Sequence, residues 1–288
     1  MIYIYASGSF YQAIEDQLFS LKAEVKASCG KHIRRVDRFT QLALIGAHRC
    51  RQDITVEHPC GLYLSSGDGP QTNTIDSLQT TFLDRQPLMP LNFVNMVSNA
   101  AAFYVAQSLA VDGANIFVSS PSFALDKALQ LAELDLLDGS IRQALVGCVD
   151  ECAAPLYLQR DLLGLAKDAP VGEGSYWFLV GASADNALAV IRKNLYLPDW
   201  QAVQQVLAEH ANTDYCFAAG HGLQTEHRSW LQGLTGEFWP YTDALARHNA
   251  CTGFAVDGFL QQRPEKQLLH IDRSNEGHFS LLLIERLA

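Results

Sequence analysis

The stretch Asn115-Ile-Phe-Val-Ser-Ser-Pro-Ser-Phe-Ala-Leu-Asp-Lys-Ala-Leu129 constrains this chain more than any other. β-Branched and aromatic residues read as a strand, small residues with a proline stop it, and a helix follows at once. Such a passage belongs to a layered α/β architecture, and it places Ser122 at the helix N-terminus, where backbone N–H groups point outward unpaired. In this reading Ser120 is the N-cap and Pro121 opens the first turn, both favoured for helix initiation. Enzymes place nucleophiles on turns of this kind. Ser122 is then either a reactive hydroxyl or a plain turn residue, because small residues dominate such turns whatever the function. A serine hydroxyl stays protonated there and needs an adjacent general base.

The rest of the chain repeats the alternation. Strands are expected at Ile2 to Tyr5, Gly61 to Ser66, Leu145 to Val149, Tyr176 to Val180, Cys216 to Ala219 and Phe279 to Ile284. Helices are expected at Phe39 to Cys50, Asp76 to Leu83, Phe93 to Leu109, Trp200 to Leu207 and Phe254 to Leu260, with Gly172-Glu-Gly174 as a turn. Strands alternating with helices imply sheets covered on both faces. No linker or charge block divides the chain, so residues 1–288 are read as one domain.

Composition narrows the function classes. A hydrophobic fraction of 48% with only 18% charged residues describes a globular body with a large partner interface. The formal charge of −10 argues against nucleic acid and anionic membranes, both of which demand a basic footprint. The seven cysteines, Cys29, Cys50, Cys60, Cys148, Cys152, Cys216 and Cys251, form no CxxC pair and read as buried free thiols of a reducing compartment. His210, His227, His270 and His278 show no metal-ligand spacing. No cofactor or metal is expected, and with no basic n-region and no long apolar stretch the protein is expected in the cytoplasm.

Ser98-Asn-Ala-Ala-Ala102, the segment Ala106 to Asn115, the Ser122 turn and Ala144-Leu-Val-Gly-Cys-Val-Asp-Glu151 together resemble the β-ketoacyl synthases of the thiolase superfamily. Arg34 to Leu44 is similar to the arginine-rich entry to an early helix in that family, and Ala169-Pro-Val-Gly-Glu-Gly174 to its glycine-glutamate-glycine segment. Ala219-Gly-His-Gly-Leu-Gln-Thr225 resembles the first histidine motif, with His221 in the histidine place, and Arg247-His-Asn-Ala-Cys-Thr-Gly253 the second, with His248 displaced by one. The family places its acyl-accepting cysteine where Ser122 stands. A cysteine there is partly ionised by the helix dipole, which a serine is not. Asp243 falls near the place of the lysine that precedes the second histidine. Ile271 to His278 replaces the closing glycine- and phenylalanine-rich loop, and the second half is shortened between Val190 and Asp214.

The joint loss of these features resembles the chain-length factors, nucleophile-less subunits that pair with an active ketosynthase, and most of all the short ketosynthase-like subunit of aryl polyene systems. The resemblance implies a duplicated thiolase-like α/β fold with a truncated second half and no catalysis by this chain alone. It implies a heterodimer with a catalytic β-ketoacyl-ACP synthase subunit, with acyl carrier protein received through the complex. It also implies pairing through the strand of Asn115, Ile116, Phe117, Val118 and Ser119. Phe103, Tyr104 and Phe123 are suited to line an acyl tunnel, and equally suited to ordinary core packing. His221 stands either as a general base or as a turn histidine, and Asp150 and Glu151 as a structural acidic pair. Two other classes remain open: a Ser122-dependent acyltransferase or hydrolase, and a decarboxylase of carrier-bound malonate, which needs two histidines in one pocket.

Overall fold

The computed structural model describes residues 1–52, 54–97, 99–209 and 215–287, so Ser98 and His210 lie outside the described residues. The first half runs β1 (Ile2–Ile14), α1 (Lys22–Cys29), α2 (Arg38–Cys50), β2 (Cys60–Ser66), α3 (Gln71–Leu78), α4 (Pro90–Met96), α5 (Ala100–Leu109), β3 (Asn115–Ser119), α6 (Ala124–Asp138), β4 (Gln143–Asp150), α7 (Leu156–Leu162) and β5 (Val171–Gly181). The second runs β6 (Ala189–Leu197), α8 (Trp200–Ala208), β7 (Tyr215–Ala219), α9 (Thr225–Gln232), β8 (Gly236–Trp239), α10 (Tyr241–Ala244), α11 (Cys251–Gln262), β9 (Gln267–Arg273) and β10 (Phe279–Arg286).

One ten-stranded sheet has the order β3-β2-β4-β5-β1-β6-β10-β9-β7-β8. Read outward from the β1–β6 seam, the two halves are the same unit. In each, the strand at the seam pairs antiparallel with the fifth strand and the fifth antiparallel with the fourth. The fourth and third then each pair parallel with the second. The duplication is complete in topology although the two sequences share no defensible repeat.

Side-chain alternation along the strands builds five layers, because successive residues face opposite sides of a strand. Val146, Tyr176 and Phe178 of the first half face the same cluster as Cys216, Leu268 and Leu282 of the second, and α6 and α11 fill it with Leu125, Leu129, Val256 and Phe259. The opposite faces are covered separately: Leu62, Leu145 and Trp177 by α2 and α5, and Phe217, Leu269 and Leu281 by α8 and α9. A bulge between Ile4 and Ala6 turns β1 over, so Ile2 and Ile4 face the central layer while Ala6 and Phe10 face α2.

Several expected boundaries move. β1 extends nine residues beyond Tyr5, and Gly172-Glu-Gly174 lies within β5 rather than in a turn before it. The helix expected over Phe93 to Leu109 is two helices, α4 and α5, and Asp76 to Leu83 splits into the end of α3 and a π-helical turn, Gln79–Leu83. Ile271 to His278 is the end of β9 and a hairpin into β10. All seven cysteines are free and all but Cys29 are buried. Among the described residues, no helix is long and apolar enough to cross a membrane, and no group of three His, Cys, Asp or Glu is placed to hold a metal ion.

Candidate functional site

Ser122 lies in the link between β3 and α6, but not at the helix terminus. α6 begins at Ala124, and its N-cap is Phe123, in left-handed conformation (φ 59°, ψ 36°) with no side-chain cap. The Ser-Pro start signal fails here because Ser120 is used otherwise. Its Oγ donates to the Ser122 carbonyl at 2.7 Å and accepts from Lys127 Nζ at 2.6 Å, closing the turn as a clamp. A left-handed aromatic residue costs about 1–2 kcal/mol, and Phe123 is held there with its ring stacked on Tyr196 of β6 at 6.0 Å.

His221 follows β7 in a Gly-His-Gly turn pressed against the end of β9. A Cβ at Gly220 would lie 2.2 Å from Asp272 Cγ, and one at Gly222 would lie 1.8 Å from the Arg273 carbonyl oxygen. Glycine is therefore required by close approach on both sides of the histidine. Asp272 Oδ1 accepts from the N–H groups of Gly222 at 2.9 Å and Arg273 at 2.8 Å, which fixes the turn. Among the described residues, His221 Nε2 is buried without a hydrogen-bond partner. Burial, then electrostatic repulsion from Arg247, His248 and Arg228 on protonation, push its pKa down to about 3.

His248 is buried between the halves. Its Nδ1 lies 3.0 Å from the Ala246 carbonyl, which can only accept, so Nδ1 carries the proton and Nε2 accepts from Tyr176 Oη at 3.1 Å. Burial lowers its pKa to about 4, so the ring is neutral at physiological pH. The next residue ties it to the first half: Asn249 N–H donates to Asp150 Oδ2 at 2.7 Å and Asn249 Nδ2 to Asp68 Oδ2 at 2.6 Å. Gly172 gives the histidine room, since a Cβ there would meet the Ala246 carbonyl oxygen at 2.2 Å and His248 Nδ1 at 2.7 Å.

These elements enclose one cavity of about 220 Å³, to which Ser122, Phe123, His221, Arg247, His248 and Cys251 all contribute. Ser122 Oγ makes no hydrogen bond to either histidine among the described residues, and both ring nitrogens of His248 are engaged elsewhere. Burial pushes the Cys251 thiol well above its ordinary range, so it is protonated despite its place at the start of α11. Asp243, in the place of the expected lysine, is exposed and pairs with Arg228 at 3.6 Å. Phe103 is 56% exposed and Tyr104 half-buried on α5, in edge contact with each other and outside the cavity lining; of the three proposed wall aromatics, Phe123 alone contributes to it.

The acidic pair is structural in geometry. Glu151 Oε1 accepts from Thr72 N–H at 2.7 Å, and burial raises the pKa of Glu151 and lifts that of Asp150 to about 8. Glu173, between the two glycines of β5, forms a bidentate pair with Arg38 at 2.8 and 2.6 Å and is fully buried. Two sequence segments noted separately therefore meet. Tyr176, Asp272 and Arg273 were not singled out by sequence; the apolar setting of Tyr176 and the position of Asp272 in a charged, loop-like run concealed them.

β3 is an edge strand, hydrogen-bonded on one side to β2. Ile116, Phe117 and Val118 are half-buried and Asn115 and Ser119 exposed. α5 and α6 flank it, and they present exposed Phe103, Leu131, Leu134 and Leu137.

No protein-family model and no curated protein matches the chain. Solved structures do. The ishigamide ketosynthase/chain length factor aligns at 17% identity over 100% of this chain and 99% of that one, with TM-score 0.77. A type II polyketide ketosynthase in complex with its acyl-carrier protein aligns at 13% identity over 99% of each chain, with TM-score 0.71. A β-ketoacyl synthase from Burkholderia phymatum aligns at 12% identity over 100% of this chain and 99% of that one, with TM-score 0.69. At these identities the likeness establishes the fold, a ketosynthase-type, thiolase-like α/β architecture spanning the whole chain.

Proposed function

We propose that this chain is the chain-length-factor-like subunit of a heterodimeric β-ketoacyl-ACP synthase, of the kind found in aryl polyene biosynthesis. A catalytic synthase subunit pairs with it and supplies the thiol, and acyl carrier protein reaches the complex through that partner. The carrying observation is β3, an open apolar edge flanked by exposed Phe103 and the Leu131, Leu134 and Leu137 stripe. An unprotected edge of this kind is a template for a strand from another chain. Serine in place of the thiol, with no base in hydrogen-bond contact, supports a subunit that does not accept acyl groups covalently. Phe123 then forms a wall of the acyl path.

The experiment is co-expression with a catalytic β-ketoacyl-ACP synthase from the same source. A stable heterodimer is expected, with product length shifted by Phe123→Ala and the condensation rate unchanged by Ser122→Ala. Failure to co-purify overturns the pairing, unaltered products overturn the wall assignment, and loss of turnover in Ser122→Ala would establish the serine acyltransferase class instead.

One observation favours a second reading. His221 and His248 do share a cavity, as decarboxylation of carrier-bound malonate requires. Release of carbon dioxide from malonyl thioester by the isolated chain, abolished in His221→Ala, is its test.

A further inference from the structure

The first turn of α6 carries a carboxyl that neither reading uses. Asp126 is fully buried, and among the described residues neither of its carboxyl oxygens has a hydrogen-bond partner. Its backbone is pinned to β6, since its carbonyl accepts from Asn194 Nδ2 at 2.8 Å. Facing it is Ser280 of β10, also fully buried, whose hydroxyl is likewise unpartnered. Burial above all, with the charge of Asp272 added, lifts the Asp126 pKa to about 7, although its own backbone N–H, the Ser280 hydroxyl and Lys127 draw it down. Lys127 is itself committed to Ser120 Oγ at 2.6 Å. The other titratable groups around it are uncharged. Burial raises the Cys148 pKa to about 12 and that of Tyr196 above its ordinary range, and lowers that of His270, which bonds Tyr241, to about 3.

Ser280 is also the register partner of Asp272 in β9, and residues so paired stand about 4.5–5.5 Å apart at Cβ. One hydroxyl therefore neighbours both acids, which differ in their partners. Asp272 lies at the cavity wall, where burial raises its pKa and the N–H groups of Arg273 and Gly222, with Arg247 and Arg228, oppose the rise. Asp126 has no such support. Coupled carboxyls do not ionise together cheaply, and the one without donors keeps the proton. Asp272 in turn holds His221. A Cβ at Gly220 would lie 2.2 Å from the Asp272 Cγ, so the carboxyl cannot shift without the Gly220–Gly222 turn shifting too.

We propose that Asp126 is a positioning residue for His221: its proton lets Asp272 grip the Gly-His-Gly turn, and loss of that proton loosens the turn, which makes it a pH-sensitive switch. Asp126 is enclosed and Asp272 is not, so repulsion between the two carboxylates is relieved by moving Asp272 off the N–H groups it accepts from. The inference concerns this chain alone and stands whichever of the two readings above holds.

Backbone hydrogen exchange of the full chain at pH 6 and pH 8, expressed as protection factors so that the intrinsic rate change cancels, tests it. Protection of the Gly222 and Arg273 N–H groups is expected to fall about ten-fold across this range, as one pKa unit of coupling requires, while that of Leu282 in β10 holds. Asp126→Asn keeps the shape and cannot ionise, so its protection at both N–H groups is expected to be the same at the two pH values. Carbon-13 titration of the wild-type carboxyls needs no variant and covers the case in which Asp126→Asn does not fold: Asp126 should ionise at about pH 7, with Asp272 reporting the event as an inflection of its own. Wild-type protection that does not change with pH, a fall that persists in Asp126→Asn, or an Asp126 already ionised at pH 5 each overturns the proposal.

Discussion

The two halves share one strand topology and end in opposite ways. The outermost strand of the first half, β3, is an apolar five-residue edge, while that of the second, β8, has four residues. Near β8, Arg263 lies over the Trp239 ring and 3.9 Å from Glu237. Short, charged edges resist pairing, and open apolar ones invite it. The crossovers differ in the same sense. Residues 67–114 between β2 and β3 carry α3, α4 and α5 with exposed Phe82, Leu83, Phe93 and Phe103, whereas residues 220–235 between β7 and β8 carry only α9. The duplicated unit is thus elaborated with exposed apolar helices on one side and pared on the other, while the cavity takes its serine from the first half and its histidines from the second.

The largest test of this asymmetry lies in how each half fastens its outer helix. α2 is tied to β5 by the buried Arg38–Glu173 pair, while α8 meets β10 through apolar contacts of Val203 and Leu207 with Phe279 and Leu281. Removing one member of a buried pair leaves the other charge stranded, at a cost of about 3–5 kcal/mol. Arg38→Met should therefore lower the urea midpoint more than any single truncation in α8. Equal losses would mean that the first half has no special anchor.

The edges provide the next test. Leu134→Glu and Phe103→Glu alter exposed side chains and should leave the isolated chain folded. At an interface such residues act as anchors worth about 2–4 kcal/mol, so each should weaken the synthase heterodimer by 30-fold or more in sedimentation. Glu237→Ala, on the opposite edge, should leave it unchanged. If the β8 variant dissociates the complex and the α5 and α6 variants do not, the halves have been assigned the wrong way round.

Much of this asymmetry was legible in the sequence, and the misreadings have a common cause. Helices α2, α8 and α11 and strands β2, β3, β4, β7 and β10 follow the periodicity of their apolar residues. The expected first strand stops at Tyr5, short of Gly8, yet Gly8 is in mid-strand, where a Cβ would lie 2.1 Å from the Cys50 nitrogen. Gly172 and Gly174 misled in the same way. A glycine that admits a close neighbour looks, in one dimension, like a glycine that bends the chain. β9 was hidden by its charged residues, and the α6 start by a Ser-Pro pair whose hydroxyl clamps the preceding turn. Which residues enter the cavity from both halves depends on folding the β1–β6 seam around α6 and α11, and no local pattern records that.

Acid and base stability should separate the halves again. The first holds Asp150, whose pKa is raised to about 8, and the second His248, lowered to about 4. Between pH 4 and 6.5 the unfolded chain protonates this histidine and the folded chain does not, so its contribution to stability is lost as pH falls. For Asp150 the folded chain keeps a proton that the unfolded chain releases above its ordinary value of 3.8, so stability is lost as pH rises towards 8. Asp150→Asn should gain on wild type as pH climbs from 4 to 8 in denaturant titrations, and His248→Gln should gain on it as pH drops from 6.5 to 4. Parallel pH profiles for the two variants would show that these groups do not titrate as their burial requires.

The smallest expected effect tests the contact that joins the halves at the cavity rim, Phe123 of the first against Tyr196 of the second. Glycine at 123 relieves a left-handed backbone worth about 1 kcal/mol or slightly more, but it forfeits a ring stack of about 0.5–1.5 kcal/mol and frees the unfolded chain by a further 0.4–1 kcal/mol or so. Phe123→Gly should therefore fall within about 1 kcal/mol of wild type by these terms. Alanine loses the stack and keeps the strain. Because the two variants share every lost contact, the glycine variant's advantage over Phe123→Ala in denaturation midpoint reads the backbone conformation alone, offset by the freer unfolded chain. A Phe123→Ala variant much more stable than Phe123→Gly would mean that residue 123 can leave the left-handed region at little cost, and that the ring, rather than the turn, decides where Ser122 stands.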